Sequence, residues 1–156
     1  MIPPHVYEVI TTGVAHIGCV SSNLKPFHAD TLGIICDAES DEVVCCLNKN
    51  SSEAFLNHLT VGSRTSLFAA VISHESYNLK GQVTAIRDVK EVEVAACNKL
   101  SKGMFALYSE MGIPEELAAR YWKRIPDLAI SFLVDTVFLQ TPGPDAGKQL
   151  LQDKHD

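Results

Sequence analysis

The sequence has no uninterrupted apolar run of the ~18 residues that a membrane-spanning helix needs. It also lacks any block of like charges, any Cys-x-x-Cys pair and any Gly-x-Gly-x-x-Gly. The first absence removes a helical membrane protein. The last, together with helical patterns that do not follow every strand, removes a doubly wound nucleotide fold. Nineteen acidic residues outnumber thirteen Lys and Arg, for a net charge of −6, so no broad basic surface is on offer and no nucleic acid is expected as a partner. Met1-Ile2-Pro3-Pro4-His5 carries no basic segment followed by an apolar one. A cytoplasmic protein with no membrane contact is the expectation.

Cysteine is present, but in an odd number: Cys19, Cys36, Cys45, Cys46 and Cys97. Their apolar surroundings predict buried, reduced thiols that behave as small hydrophobes. Cys45 and Cys46 are adjacent on a predicted strand and so face opposite ways. A nucleophilic or metal-binding role would fall first to one of these two, and no metal site is predicted.

The pattern of apolar residues sets out the elements. Val6–Ile10 reads as a short helix and Val14–Val20 as the first strand. Pro26–Cys36 is a second strand, interrupted in character by Gly33, and Asp37–Asp41 is an acidic turn. Glu42–Asn48 is a nearly all-apolar third strand. Asn50 or Ser51 is placed to cap a helix that carries Ala54, Phe55, Leu56 and Leu59 and ends near Gly62. Thr65–Ser73 and Tyr77–Asp88 are the fourth and fifth strands. Val94, Cys97, Leu100, Met104, Leu107 and Met111 recur at helical spacing and Gly112 closes that helix. Pro114 opens a second helix running to about Trp122. Asp127–Gln140 is the sixth strand, with Ala129, Ser131, Leu133, Asp135 and Val137 on one face. Thr141–Gly147 reads as irregular turns. The expected fold is α+β: one domain over residues 1–156, an antiparallel six-stranded split β-barrel with flanking helices and a C-terminal tail from 140.

Two segments carry chemistry. In Ser76–Val83, Tyr77, Leu79 and Gly81 share one strand face while Asn78, Lys80 and Gln82 share the other. One face packs; the other offers hydrogen bonds and a charge. In Leu47-Asn48-Lys49-Asn50-Ser51-Ser52, a helix start with free backbone N–H groups, two hydroxyls and a cation suits an anion, beside its plain capping role. His16 and His28 lie on strands, where a lone histidine is usually structural. Trp122 is a core candidate, or the roof of a partner's pocket.

Gly13-x-x-His16-Ile17-Gly18, the Leu47–Ser52 loop and Tyr77-Asn78-Leu79-Lys80-Gly81, in this order among the elements, resemble the pyridoxamine 5'-phosphate oxidase-like family of flavin-binding split β-barrels. The resemblance spans residues 6–140. It implies FMN at a homodimer interface, with FAD, a deazaflavin or haem as lesser alternatives. It implies that Cys45, Cys46 and Leu47 run beside the flavin ring, that Lys49, Ser51 and Ser52 hold the phosphate, and that Tyr77 and Lys80 approach the ring. His28 and Trp122 would meet a small-molecule substrate. Many members have arginine and lysine where this chain has Ser51 and Ser52. The basic, histidine-containing ending of true pyridoxamine 5'-phosphate oxidases is missing, which argues against that substrate. The implied activity is that of a flavin-dependent oxidoreductase; the alternative is a protein that binds or senses flavin or haem without catalysis.

Overall fold

Tyr77–Thr84, within the long strand Ser76–Asp88, alternates buried with more exposed side chains, and the sheet is built around this strand. The computed structural model describes residues 1–36 and 39–151. Its elements are α1 (Pro4–Thr12), β1 (Val14–Val20), β2 (Pro26–Asp30), β3 (Gly33–Cys36), β4 (Glu42–Leu47), a 3-10 turn over Asn50–Ser52 that runs into α2 (Glu53–Leu56), β5 (Arg64–Ala70), β6 (Ser76–Asp88), α3 (Glu91–Glu110), α4 (Glu115–Trp122), β7 (Leu128–Leu139) and β8 (Gln149–Leu151). All pairings are antiparallel, in the order β2-β1-β5-β6-β7-β4-β3, with β8 on β7.

The chain has the α+β split-barrel architecture, with eight strands where six were expected. One addition comes from the long second strand. Thr31 donates its backbone N–H to Ala15 on β1, and Leu32 donates to Cys46 on β4. The strand therefore changes partners within two residues and supplies both outer strands of the sheet, β2 and β3. The other addition is β8: the turns of residues 141–147 fold the tail back onto β7. The acidic turn at Asp37 and Ala38 and the last five residues lie outside the described residues.

The core fills the inside of the curled sheet. Ile17, Leu67, Leu79, Val83, Ile130 and Phe132 point inward, and α1 covers them with Val6, Val9 and Ile10, joined by Ile2 just before it. Phe55 and Leu59 pack into the same cluster. The segment that holds them is shorter than a full helix, a correction to the expected run to Gly62. After Leu56 the backbone bonds tighten to His58 N–H on Phe55 O and Leu59 N–H on Leu56 O, the last-turn geometry that ends a helix.

Strict alternation also fails once on β7. Lys80 pairs with Thr136 but Gly81 pairs with Val134, so Asp135 is the extra residue of a bulge. Leu133 and Asp135 keep the outward face, whereas Val137 returns to the core. This corrects the single face expected for Ala129 to Val137.

Outside the sheet, α3 covers the β3–β4 end. Glu93 at its start accepts the Lys90 backbone N–H at 2.7 Å and holds Arg87 of β6 through two bonds of 2.9 and 2.5 Å. The Arg87 guanidinium holds the Glu93 carboxyl below the usual carboxylate range. The rest of the outer face, on β2, β1, β5 and β6, is left open.

Candidate functional site

The open outer face is read in rows across the strands. Cross-strand pairing sets His28 (β2), Gly18 (β1), Ser66 (β5), Lys80 (β6) and Thr136 (β7) in one row. The next row is Asp30, His16, Phe68, Asn78 and Phe138. Gly18 puts no side chain into its row, and a cleft of about 610 Å³ opens over it, lined by Pro26, His28, Arg64, Ser66 and Lys80 among others. The polar face read from the sequence at Asn78, Lys80 and Gln82 is this outer face.

Two cations border the cleft in different states. Arg64 forms a two-pronged pair with Asp135, one arm at 3.0 Å, and this holds the Asp135 carboxyl low. Lys80 has no carboxylate partner among the described residues; its Nζ lies 4.9 Å from the centre of the Phe138 ring. His28 stands edge-on to His16, ring centres 6.1 Å apart.

A chain of polar contacts leads from the cleft over β2. His16 Nδ1 lies 3.0 Å from Asp30 Oδ1, and Arg124 donates to Asp30 Oδ2 at 2.9 Å. A second arm of Arg124 donates to Ser51 Oγ at 3.3 Å, and its guanidinium lies over the Tyr121 ring at 4.4 Å. Beside it, the Ser52 hydroxyl is buried with no hydrogen-bond partner among the described residues. A guanidinium, an exposed hydroxyl and an idle buried hydroxyl form a donor set that fits a phosphate. Asn48, rather than Asn50 or Ser51, ends the loop, its Oδ1 accepting the Ser51 backbone N–H at 3.1 Å.

The expected site residues separate into groups. His28 and Lys80 come together at the cleft. Ser51 meets Arg124, a residue the sequence pattern does not single out, while the Ser52 hydroxyl is buried without a partner among the described residues. Lys49 does not join them: its Nζ bonds Asp88 at 2.8 Å and its backbone N–H bonds Asp127. The Tyr77 ring lies on the core face beside His5, and its hydroxyl donates to Glu75 at 2.6 Å; burial, chiefly, pushes that hydroxyl up to about 12. Cys45 and Leu47 are in the core, and Cys46 faces the other way, under α3. Trp122 is buried against Met104 and Ala118. Tyr77, Cys45, Leu47 and Trp122 thus pack the protein on the far side of the sheet from the cleft or away from it.

No family model and no curated protein matches this sequence. Solved structures do. HupZ of Group A Streptococcus superposes with a TM-score of 0.55 at 13% identity, covering 94% of this chain and 100% of that one. A Clostridium acetobutylicum protein related to general stress protein 26 of B. subtilis, of the pyridoxinephosphate oxidase family, gives 0.53 at 12% identity over 96% of this chain and 92% of that one. An F420 reductase gives 0.50 at 7% identity over 88% of this chain and 98% of that one. The chain has the fold of the pyridoxamine 5'-phosphate oxidase-like split barrels.

Proposed function

We propose that this protein binds a flavin, FMN in the first instance, on the open outer face and uses it as an oxidoreductase on a small molecule. The observation that carries the reading is the polar track beside the Gly18 cleft, in which His16 and Arg124 share the Asp30 carboxylate and Arg124 reaches on to Ser51. Ser51, Ser52 and Arg124 would hold the phosphate. The cleft walls at His28, Ser66 and Lys80 would hold the ring. Two of the structural neighbours bear names of redox enzymes or redox-enzyme families, which supports the class without fixing the substrate. When bound, the flavin supplies transfer of electrons or hydride between a donor and the substrate.

The protein's own groups do the rest. Lys80, without a carboxylate partner, places positive charge where an electron-rich ring edge would lie. Asp30 accepts from His16 Nδ1 and so fixes the orientation of that imidazole beside the cleft. Phe68 and Leu133 are 40% and 49% exposed on the same side of the sheet. A second copy of the chain laid on this face would cover them and close the cleft, giving a homodimer with the site at its interface.

The test is a titration of FMN with the purified protein, followed by flavin fluorescence and by visible absorption. Quenching with a shifted flavin spectrum is expected. A protein that leaves FMN, FAD and deazaflavin spectra unchanged overturns the reading. A second reading, haem binding, draws on His28, whose imidazole has no hydrogen-bond partner among the described residues; a Soret band lost in His28→Ala would select it.

A further inference from the structure

Gly33 on β3 is the direct cross-strand partner of Cys46 on β4, so the two present the same face, the one that α3 covers. With no side chain on Gly33, α3 approaches so closely that a β-carbon there would stand 2.5 Å from Cys97 Sγ and 3.0 Å from Cys97 Cα. The β-carbons of directly paired residues stand about 4.5–5.5 Å apart. Cys97 therefore puts its sulfur into the space beside the Cys46 side chain. The two cysteines and Leu32 make a small buried cluster of their own. Cys19 and Cys45 lie in the barrel core and Cys36 packs against it, across the sheet from this pair.

We propose that Cys46 and Cys97 are a redox modification site, closed to a disulfide by a hydroperoxide and reopened by thiols. The neighbouring Cys46 favours the Cys97 thiolate, while Cys97 and burial push the Cys46 thiol up. Cys97 is accordingly the attacking sulfur. Its thiolate attacks hydrogen peroxide: an S–O bond forms, the O–O bond breaks, and the departing hydroxide takes up the proton that Cys97 released. The Cys46 thiol then attacks the Cys97 sulfur: the S–S bond forms, the S–O bond breaks, and a second water leaves with the Cys46 proton. Two electrons pass from the thiols to one peroxide. The bond staples α3 to β4, the strand that leads directly into the Asn48–Ser52 loop. Both sulfurs are buried, so the oxidant enters as α3 lifts from the sheet, and the reaction is slow.

The experiment treats the reduced full chain with hydrogen peroxide, alkylates it in denaturant and maps its peptides without reduction. The expected result is a Cys46–Cys97 linked peptide with Cys19, Cys36 and Cys45 alkylated. The melting temperature should rise by about 5 °C and fall back with dithiothreitol. Cys97→Ala should abolish the link, and Cys36→Ala should keep it. Both thiols still alkylated after prolonged treatment, a Cys36–Cys45 link instead, or separate sulfinic acids at Cys46 and Cys97 would each overturn the proposal. The wild-type peptide map decides the matter even if a variant does not fold.

Discussion

Gly81 lies hard against the Leu133 carbonyl: a β-carbon on Gly81 would fall onto that oxygen, 2.8 Å from the carbonyl carbon and 2.9 Å from the Phe132 ring. This contact stands where β7 bulges at Asp135, next to Lys80. Gly81→Ala must push β7 away or undo the bulge. It should destabilise the protein by about 1–3 kcal/mol, the range for overpacked cores, as read by urea unfolding. A loss under about 0.5 kcal/mol, the size of an ordinary surface change, would show that the strands part easily.

Gly18 offers a gentler change. Its β-carbon would have its nearest neighbours at 3.4 and 3.5 Å, so the backbone tolerates one. Gly18→Val should keep the fold, since β-branched residues suit strands, while filling the cleft floor. FMN binding should fall at least tenfold with an unchanged circular dichroism spectrum. Undiminished binding would move the ring off this face.

Arg124 and Lys49 are predicted to differ. Arg124→Ala removes the cation at Ser51, and a charge-assisted bond is worth about 1.5–3 kcal/mol. FMN affinity should weaken by roughly tenfold to a hundredfold. Lys49→Ala removes a cation already turned to Asp88 and should leave affinity within about twofold, because an exposed ion pair is worth little. The reverse order, measured by fluorescence titration, would return the phosphate to Lys49.

Glu93 sets an acid limit on stability. Its folded carboxyl titrates below its unfolded value because Arg87 favours the charged form. As pH falls, the unfolded chain takes up this proton first. The pair's contribution is therefore complete above the ordinary glutamate value of about 4.3 and is lost as pH drops through the folded one. Glu93→Gln should cost about 2 kcal/mol at pH 7 and flatten the loss of stability as pH falls below the ordinary glutamate range. An equally steep acid limb in the variant would assign that loss to other carboxylates.

Much of the barrel was legible because burial imposes periods. The alternation of Tyr77, Leu79 and Gly81 against Asn78, Lys80 and Gln82 holds in the structure, whereas the helical stripe holds at Cys97 and Met104 but not at Met111, which lies past the end of α3 and is exposed. The bulge at Asp135 was not legible: period two is all that a strand pattern carries, and an inserted residue shows only against its partner strand. Adjacent Cys45 and Cys46 were read to opposite faces, and they occupy them. Arg124 was missed because its meeting with Ser51 joins residues 73 apart, through a loop whose path no local pattern encodes. Lys49 and Ser51 are neighbours in sequence, but Lys49 turns to Asp88 while Ser51 meets Arg124, and no local pattern encodes that divergence.

Thr31 and Leu32 carry one more implication. The chain hands over from Ala15 to Cys46 across a single peptide link, so the sheet's two flanks are one unbroken thread. Separating them like the covers of a book requires tearing both ladders at that hinge together. Both residues of the link are buried, so the folded protein should resist proteolysis at this seam.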